Sequence, residues 1–426
     1  MYNRLNKHLS DQKILYEKQF GFQKNHSTVH AIIELVSKIT DSFEKNMFTL
    51  GVFIDLSKAF DTVNHEILIS KLENYGLDGS NLEWFKNYLT NRKQCIVYDG
   101  ITTTLKHITC GVPQGSILGP LLFLIYVNDL HKSSSLIDFL LYADDTNLFF
   151  SHSNIKILFE TVNNELDKIN QWFVSNKLSL NTKKTKYVLF CKNSKVDNLP
   201  LKLPPLKISN VNIVREYNMD FLGVILNETL NWKQHIETIE NKISKNIGIL
   251  YKSKPFLDIK SLKQLYFSFI NSYIDYCNIA WGSTNQTILK KILSKQKHAL
   301  RIIFGQDKYT TVQHRFQEIG AQNIFDINLL KISLFMFKTH NGLSPSLFKD
   351  QFKPIDHKFS TRFSSFAYTI PKANLKCNCF SIKYRGPFIW NYLLTNKLRK
   401  QPSLNSFKSS LKKFLFNSNI DQNLYF

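Results

Sequence analysis

Between Leu140 and Phe150 the chain runs Leu-Leu-Tyr-Ala-Asp-Asp-Thr-Asn-Leu-Phe-Phe, and no other stretch limits its fold so narrowly. Short runs rich in aromatic and branched residues on either side of a polar break read as the two strands of a hairpin. Ala143 to Asn147 supplies the turn, because Asp and Asn tolerate unusual backbone angles and bond their own backbone. Two like charges side by side resist ionising together unless a cation lies between them. Asp144 and Asp145 are therefore either solvated acids on a hairpin tip or part of a divalent-metal site, and the pair alone leaves both open.

A second apolar run ends in an acid. Phe48 to Leu56 reads as a buried strand carrying Asp55 near its end. If both strands lie in one sheet, three carboxylates converge at its rim with only Lys58 near in sequence to offset them. Removing carboxylates from water costs several kcal/mol each unless they are paired or bind metal. Mg²⁺ would meet that need, since it favours carboxylate oxygen and leaves positions for substrate phosphates. Two such ions about 3.5–4 Å apart would stabilise the attacking and leaving oxygens of an in-line phosphoryl transfer.

The rest of the pattern surrounds these strands with helices. Apolar spacing predicts helices over Thr28–Asn46, from Asp61 or Thr62 (as cap) to Gly76, over Asn81–Thr90, Leu121–Leu130 and Ile155–Val174. Gln94–Tyr98 and Leu105–Thr109 read as strands, with Asp99-Gly100 as their turn signal. Lys186–Phe190 and Phe221–Leu226 are further strands. Beyond Trp232 the pattern is mainly helical, with a polar stretch near Pro354–Pro371 and an amphipathic helix on Leu404, Phe407, Leu411, Phe414 and Leu415. That order predicts an α+β core with a helical appendage.

Composition narrows the partners. The 426 residues suffice for two or three domains. Lys and Arg number 55 against 33 acids, a net +22, which implies a polyanion such as nucleic acid. Surface lysines scattered by an AT-biased genome are the competing explanation. Six lysines and no acid between Asn176 and Lys195 would suit a phosphate-tracking surface or a solvated strand edge. The six cysteines include no Cys-x-x-Cys pair, and Cys377 and Cys379 lack a His at ligand spacing. Neither a zinc module nor a disulfide scaffold is expected, which implies a reducing, intracellular setting. No signal peptide is apparent, and the longest apolar stretch, Ile117–Val127, is broken by Gly119-Pro120, so no membrane association is expected.

Six ordered segments together carry a resemblance. Phe53-Ile54-Asp55-Leu56-Ser57-Lys58-Ala59-Phe60-Asp61 resembles motif A of reverse transcriptases, Gly111-Val112-Pro113-Gln114-Gly115-Ser116-Ile117-Leu118-Gly119-Pro120 motif B, and Tyr142-Ala143-Asp144-Asp145 motif C. Gln19-Phe20-Gly21-Phe22 with His26-Ser27-Thr28 resembles the fingers motif, Leu180 to Thr185 motif D, and Phe221-Leu222-Gly223-Val224 the primer-grip motif E. The set is most similar to reverse transcriptases of non-LTR (LINE-type, jockey-like) retrotransposons. Gln264-Leu265-Tyr266, Tyr276 to Gly282, His298 to Ile303 and Gly386 to Asn391 resemble that group's downstream region.

The resemblance implies a right-hand polymerase: a ferredoxin-like palm, partial helical fingers and a helical thumb with a C-terminal region. Fingers and palm would occupy residues 1–226, the thumb 227–310 and a mainly helical region 311–426. It implies an RNA-directed DNA polymerase, a nucleotidyltransferase extending a DNA primer on an RNA template with dNTPs and Mg²⁺ (or Mn²⁺). Asp55, Asp144 and Asp145 would be catalytic, binding metal together with the Leu56 carbonyl. Phe60 would exclude a ribose 2′-OH, or else be a core ring. Gln114 and Gly115 would lie along the incoming nucleotide, and Lys184 would serve the leaving pyrophosphate, with Lys183 and Lys186 as rivals. Asp61 falls to helix capping.

Some family features are missing. Gln23 stands where relatives often carry Arg, with Lys24 beside it. The Arg-Pro-Ile-Ser-type segment, the apurinic-type endonuclease and a ribonuclease H signature are absent. The sequence starts within what resembles the fingers, as a 5′-truncated copy or a fragmentary gene prediction would. A catalytically inactive relic that binds nucleic acid is the alternative function, and an intron-encoded maturase a weaker one. The compartment, nucleus or cytoplasm, and the oligomeric state stay open.

Overall fold

The computed structural model describes residues 1–355, 367–372 and 379–417. The chain divides into two compact units: Met1–Ser27 with Asn46–Tyr217, and Thr28–Lys45 with Asn218–Phe426.

The first unit is built on strand β1 (Phe48–Ile54), buried along its whole length. Its unbroken apolar run suits a central strand covered on both faces. Strands β2 (Asp138–Tyr142), β3 (Asp145–His152) and β4 (Lys186–Phe190) join it in the order β4-β1-β3-β2, all antiparallel. With helices after β1 and after β3, this is the β-α-β-β-α-β ferredoxin-like arrangement. Val214–Arg215 extends the sheet, parallel to β4. Helix Ile155–Ser175 buries Leu158, Phe159, Val162, Leu166, Ile169 and Phe173, the stripe its 3.6-residue period predicts. Helix Leu118–Val127 is apolar on every side and buried nearly all round.

Several local expectations change. Helix His65–Asn74 starts later than Asp61 or Thr62, and Asn64 caps it by accepting from the Ile67 N–H (3.0 Å). The preceding stretch is instead spent on a turn in which Lys58 (φ 52°) accepts from the Asp61 and Thr62 N–H groups. The Asp99-Gly100 turn forms as expected, with φ 48° and 75°. The strands around it shrink to two-residue ladders, Val97–Tyr98 with Ile101–Thr102 and Lys93–Gln94 with Lys106–His107.

The second unit is mainly helical, as predicted beyond Trp232. Phe221–Leu226 is not one strand but the middle of a hairpin, Asn218–Phe221 with Val224–Asn227, because Leu222 (φ 50°) and Gly223 (φ 77°) turn the chain. The Tyr276 hydroxyl donates to the Leu222 carbonyl at that turn (2.6 Å). Several downstream motifs form core: Trp281 and Trp390 are fully buried, and the Asn391 amide bonds both backbone groups of Tyr368 (3.0 and 2.7 Å) like a strand neighbour. Helix Leu404–Asn417 buries Phe407, Leu411 and Leu415. Cys95, Cys110, Cys277 and Cys379 are free thiols. Cys377 and much of Pro354–Pro371 lie outside the described residues.

Candidate active site

Register brings the acids together. Ile54 pairs with Thr146 and Tyr142 with Asp145, so one step further along β1 sets Asp55 opposite Asp145. Opposed antiparallel positions have Cα atoms about 4.5–5.5 Å apart. Asp144 adjoins Asp145 in a turn of only two residues, Ala143 and Asp144, rather than the longer turn expected from Ala143 to Asn147. Ala143 takes φ 56°, which costs an L-residue about 1–2 kcal/mol.

The loop before β4 wraps Asp55. Leu56 bridges to Leu180, the Asp55 carbonyl accepts from the Asn181 N–H (2.8 Å), and the Asp55 N–H donates weakly to Thr185 Oγ1 (3.4 Å). Thr185 is buried and donates in turn to the Asn181 carbonyl (3.0 Å). Its part in holding Asp55 had no local sequence signal beyond its place at the end of the Leu180–Thr185 segment.

Negative charge at this end is poorly offset. Asp145 is exposed as a residue, yet desolvation of its carboxyl first, then the charges of Asp144 and Asp55, push it up to about 6. Lys184 Nζ lies 4.0 Å from Asp55 Oδ2 and is well exposed, so it neutralises little. Lys186 pairs instead with Glu216 (3.6 Å), and Lys183 is exposed. A crowded, under-compensated carboxylate set fits a divalent cation. Among the described residues no three or more His, Cys, Asp or Glu side chains close a ready-made cage. Mg²⁺ does not require one, since it keeps waters and substrate oxygens in its shell.

Phe60 and the Gly111–Ser116 loop lie in the same unit. Phe60 is half-buried, stacked on Phe123 (centroids 4.4 Å) and edge-on to Phe22 (6.4 Å). The loop is tied back to the segment after β1: Gly111 N–H to the Val63 carbonyl (2.7 Å) and Val112 N–H to the Phe60 carbonyl (2.9 Å). Gln114 Nε2 donates to Asp61 Oδ1 (2.8 Å), so Asp61 orients that loop instead of capping a helix. Gly115 holds φ 80° in open space, a backbone state that suits glycine. Gln23 folds back, its Nε2 donating to the Gln19 (2.9 Å) and Tyr16 (3.3 Å) carbonyls.

The chain is similar to known proteins over most of its length. Residues 1–226 match the family described as reverse transcriptase (RNA-dependent DNA polymerase). Over 301 residues the chain is 26% identical to the RNA-directed DNA polymerase from mobile element jockey of Drosophila funebris, covering 68% of this chain and 32% of that protein. It is 24% identical over 325 residues to a probable RNA-directed DNA polymerase from transposon X-element of Drosophila melanogaster, and 26% over 331 residues to that from transposon BS, each covering 74% of this chain and 35% of the relative. The chain thus spans about a third of the length of these relatives. Among solved structures, telomerase from Candida albicans aligns with 75% of this chain and 58% of its own, at 14% identity and a TM-score of 0.44, too slight a likeness to argue from. On the match across its first 226 residues, the chain belongs to the reverse transcriptase (RNA-dependent DNA polymerase) family.

Proposed function

We propose that this chain is an RNA-directed DNA polymerase that extends a DNA 3′-OH along an RNA template with dNTPs, as part of a retrotransposon of the jockey-like group. The observation that carries the reading is the register that sets Asp55 opposite Asp145, with Asp144 in the adjoining turn. Reverse transcriptases generally work with divalent metals. Here Asp55 and Asp144 would hold Mg²⁺, or Mn²⁺, with Asp145 and the Leu56 carbonyl alongside. When bound, such ions stabilise charge on the attacking and leaving oxygens.

The chain's own residues supply position. Phe60, backed by Phe123, presents a half-buried ring that supports its role against a ribose 2′-OH. Gln114 and Gly115, on a loop anchored to the segment after β1, would lie along the incoming nucleotide. Lys184 is the lysine of its cluster that reaches Asp55, which favours it over Lys183 and Lys186 for the leaving pyrophosphate. Template, primer and dNTPs are polyanions suited to a net charge of +22. Among the described residues no helix is long and apolar enough to cross a membrane.

Primer extension by the purified chain on poly(rA)/oligo(dT), with and without Mg²⁺, tests this. Metal-dependent extension by the wild type, abolished in Asp144→Asn, is the expected result. Retention of near-normal rate in Asp144→Asn would sink the metal assignment. No extension by folded wild type, with RNA binding retained, would mark an inactive relic.

A further inference from the structure

The fingers motif Gln19-Phe20-Gly21-Phe22 received no residue-level role from the sequence. It packs against the turn that carries Asp144. Phe20 N–H donates to the Leu141 carbonyl (2.7 Å) and Leu141 N–H to the Lys18 carbonyl (2.9 Å), so this segment lines the free edge of β2. Gln19 is 3% exposed. Its Oε1 accepts from the N–H groups of Ala143 and Gly21 (2.9 Å each), and its Nε2 donates to the Ala143 carbonyl (3.2 Å). The two N–H donors fix which end of the amide is oxygen. One side chain therefore satisfies both backbone groups of the residue held at φ 56°.

Gly21 makes that approach possible. A Cβ there would stand 2.3 Å from the Ala143 nitrogen, a distance no side chain survives. Gln23 braces the clamp from behind through the Gln19 carbonyl (2.9 Å). Ala143 is bonded directly to Asp144, so its backbone angles set where the Asp144 carboxylate lies. Without the clamp, an alanine would relax toward negative φ and carry Asp144 with it.

We propose that Gln19, with Gly21, is a positioning residue for Asp144, holding the turn in its strained geometry before metal and nucleotide arrive; the inference rests on the polymerase reading of this site. Catalytic groups must be held within about 0.5 Å of productive geometry, and a misplacement of about 1 Å can cost about 10²-fold in rate.

The test compares wild type with Gln19→Met, which keeps the volume and loses all three hydrogen bonds, and Gln19→Glu, which keeps both accepted bonds but sets an oxygen against the Ala143 carbonyl. Primer extension on poly(rA)/oligo(dT) gives kcat and KM for dTTP, and direct Mn²⁺ titration by electron paramagnetic resonance gives metal affinity without turnover. Expected are a fall in kcat of about 10²-fold for Gln19→Met, KM for dTTP within about twofold of wild type, and at least tenfold weaker Mn²⁺ binding. Gln19→Glu, whose shape is unchanged, carries the test should Gln19→Met not fold, and shows the same two effects. Folded variants with wild-type kcat and Mn²⁺ affinity overturn the positioning role. So does a loss confined to KM. A wild type that binds Mn²⁺ but extends nothing defeats the polymerase reading instead, and the Mn²⁺ affinities still decide the role of Gln19.

Discussion

Lysine behaves in two opposite ways in the first unit. Lys71 is buried, donating to Asp129 Oδ1 and to the Tyr126 carbonyl (2.6 Å each), with its charge over the Tyr126 and Trp172 rings. Burial lowers its pKa, and Asp129 works against that fall. Lys71→Ala strands a carboxylate and an aromatic pocket, so it should cost about 3 kcal/mol, read as a lower urea midpoint. Lys184, by contrast, is exposed and barely reaches Asp55, so its loss should leave stability unchanged. If it serves the leaving pyrophosphate, Lys184→Ala lowers single-turnover incorporation by about 10²-fold, while Lys186→Ala, whose partner is Glu216, lowers it far less. Equal effects from both would remove Lys184 from that role. The acids offer a check without turnover. Mg²⁺ at about 100 times its Kd should stabilise the first unit by about 2.7 kcal/mol, raising its melting temperature in wild type and not in Asp144→Asn.

Hairpins are the elements on which the sequence pattern most often needed correction. The Asp144 hairpin and the Asn218–Asn227 hairpin each turn on two residues, the first of which, Ala143 or Leu222, is a non-glycine residue at positive φ. A Gly-rich signal marks such turns in isolation, whereas Ala143 and Leu222 are held there by distant partners, Gln19 and Tyr276. Helix Lys233–Ser253 is tied to the second hairpin by His235, whose Nδ1 accepts from the Ile225 N–H (3.2 Å). Its Nε2 has no partner among the described residues. Burial first, and the Lys242 charge second, push His235 down to about 4. The unfolded chain then binds the proton more readily than the folded one, so stability is intact above about pH 6.5 and is lost as pH falls toward about 4, by up to about 3 kcal/mol. Burial lowers His298 and His340 as well, so they add to the same trend. Urea midpoints at pH 7 and pH 4.5 should converge in His235→Gln relative to wild type; an unchanged difference would exclude His235 as a main source.

At the scale of the whole molecule, a net charge of +22 predicts RNA binding that weakens steeply with salt. Affinity for single-stranded poly(rA) should fall with a log–log slope of about −0.7 for each phosphate neutralised; a flat dependence would show that the lysines are scattered rather than aligned on a polyanion track. The two units are discontinuous in sequence, since helix Thr28–Glu44 belongs with the C-terminal part. The sequence by itself determined the strand Phe48–Leu56, the strand Lys186–Phe190 and the amphipathic helices over Thr28–Asn46 and Ile155–Val174, that Asp55 and the Asp144–Asp145 pair stand at the ends of apolar strands, and which family the ordered motifs belong to. Those properties are local: a period of 2 or 3.6 and the residues at a strand's end are written in adjacent positions. Only the tertiary structure decided that Ile54 pairs with Thr146 and so sets Asp55 opposite Asp145. It alone decided that Asn64 rather than Asp61 caps a helix, that Lys184 is the lysine nearest Asp55, and that Gln19 clamps Ala143. Each of these is a contact between residues brought together by the folded backbone, whose distances and angles no local pattern encodes.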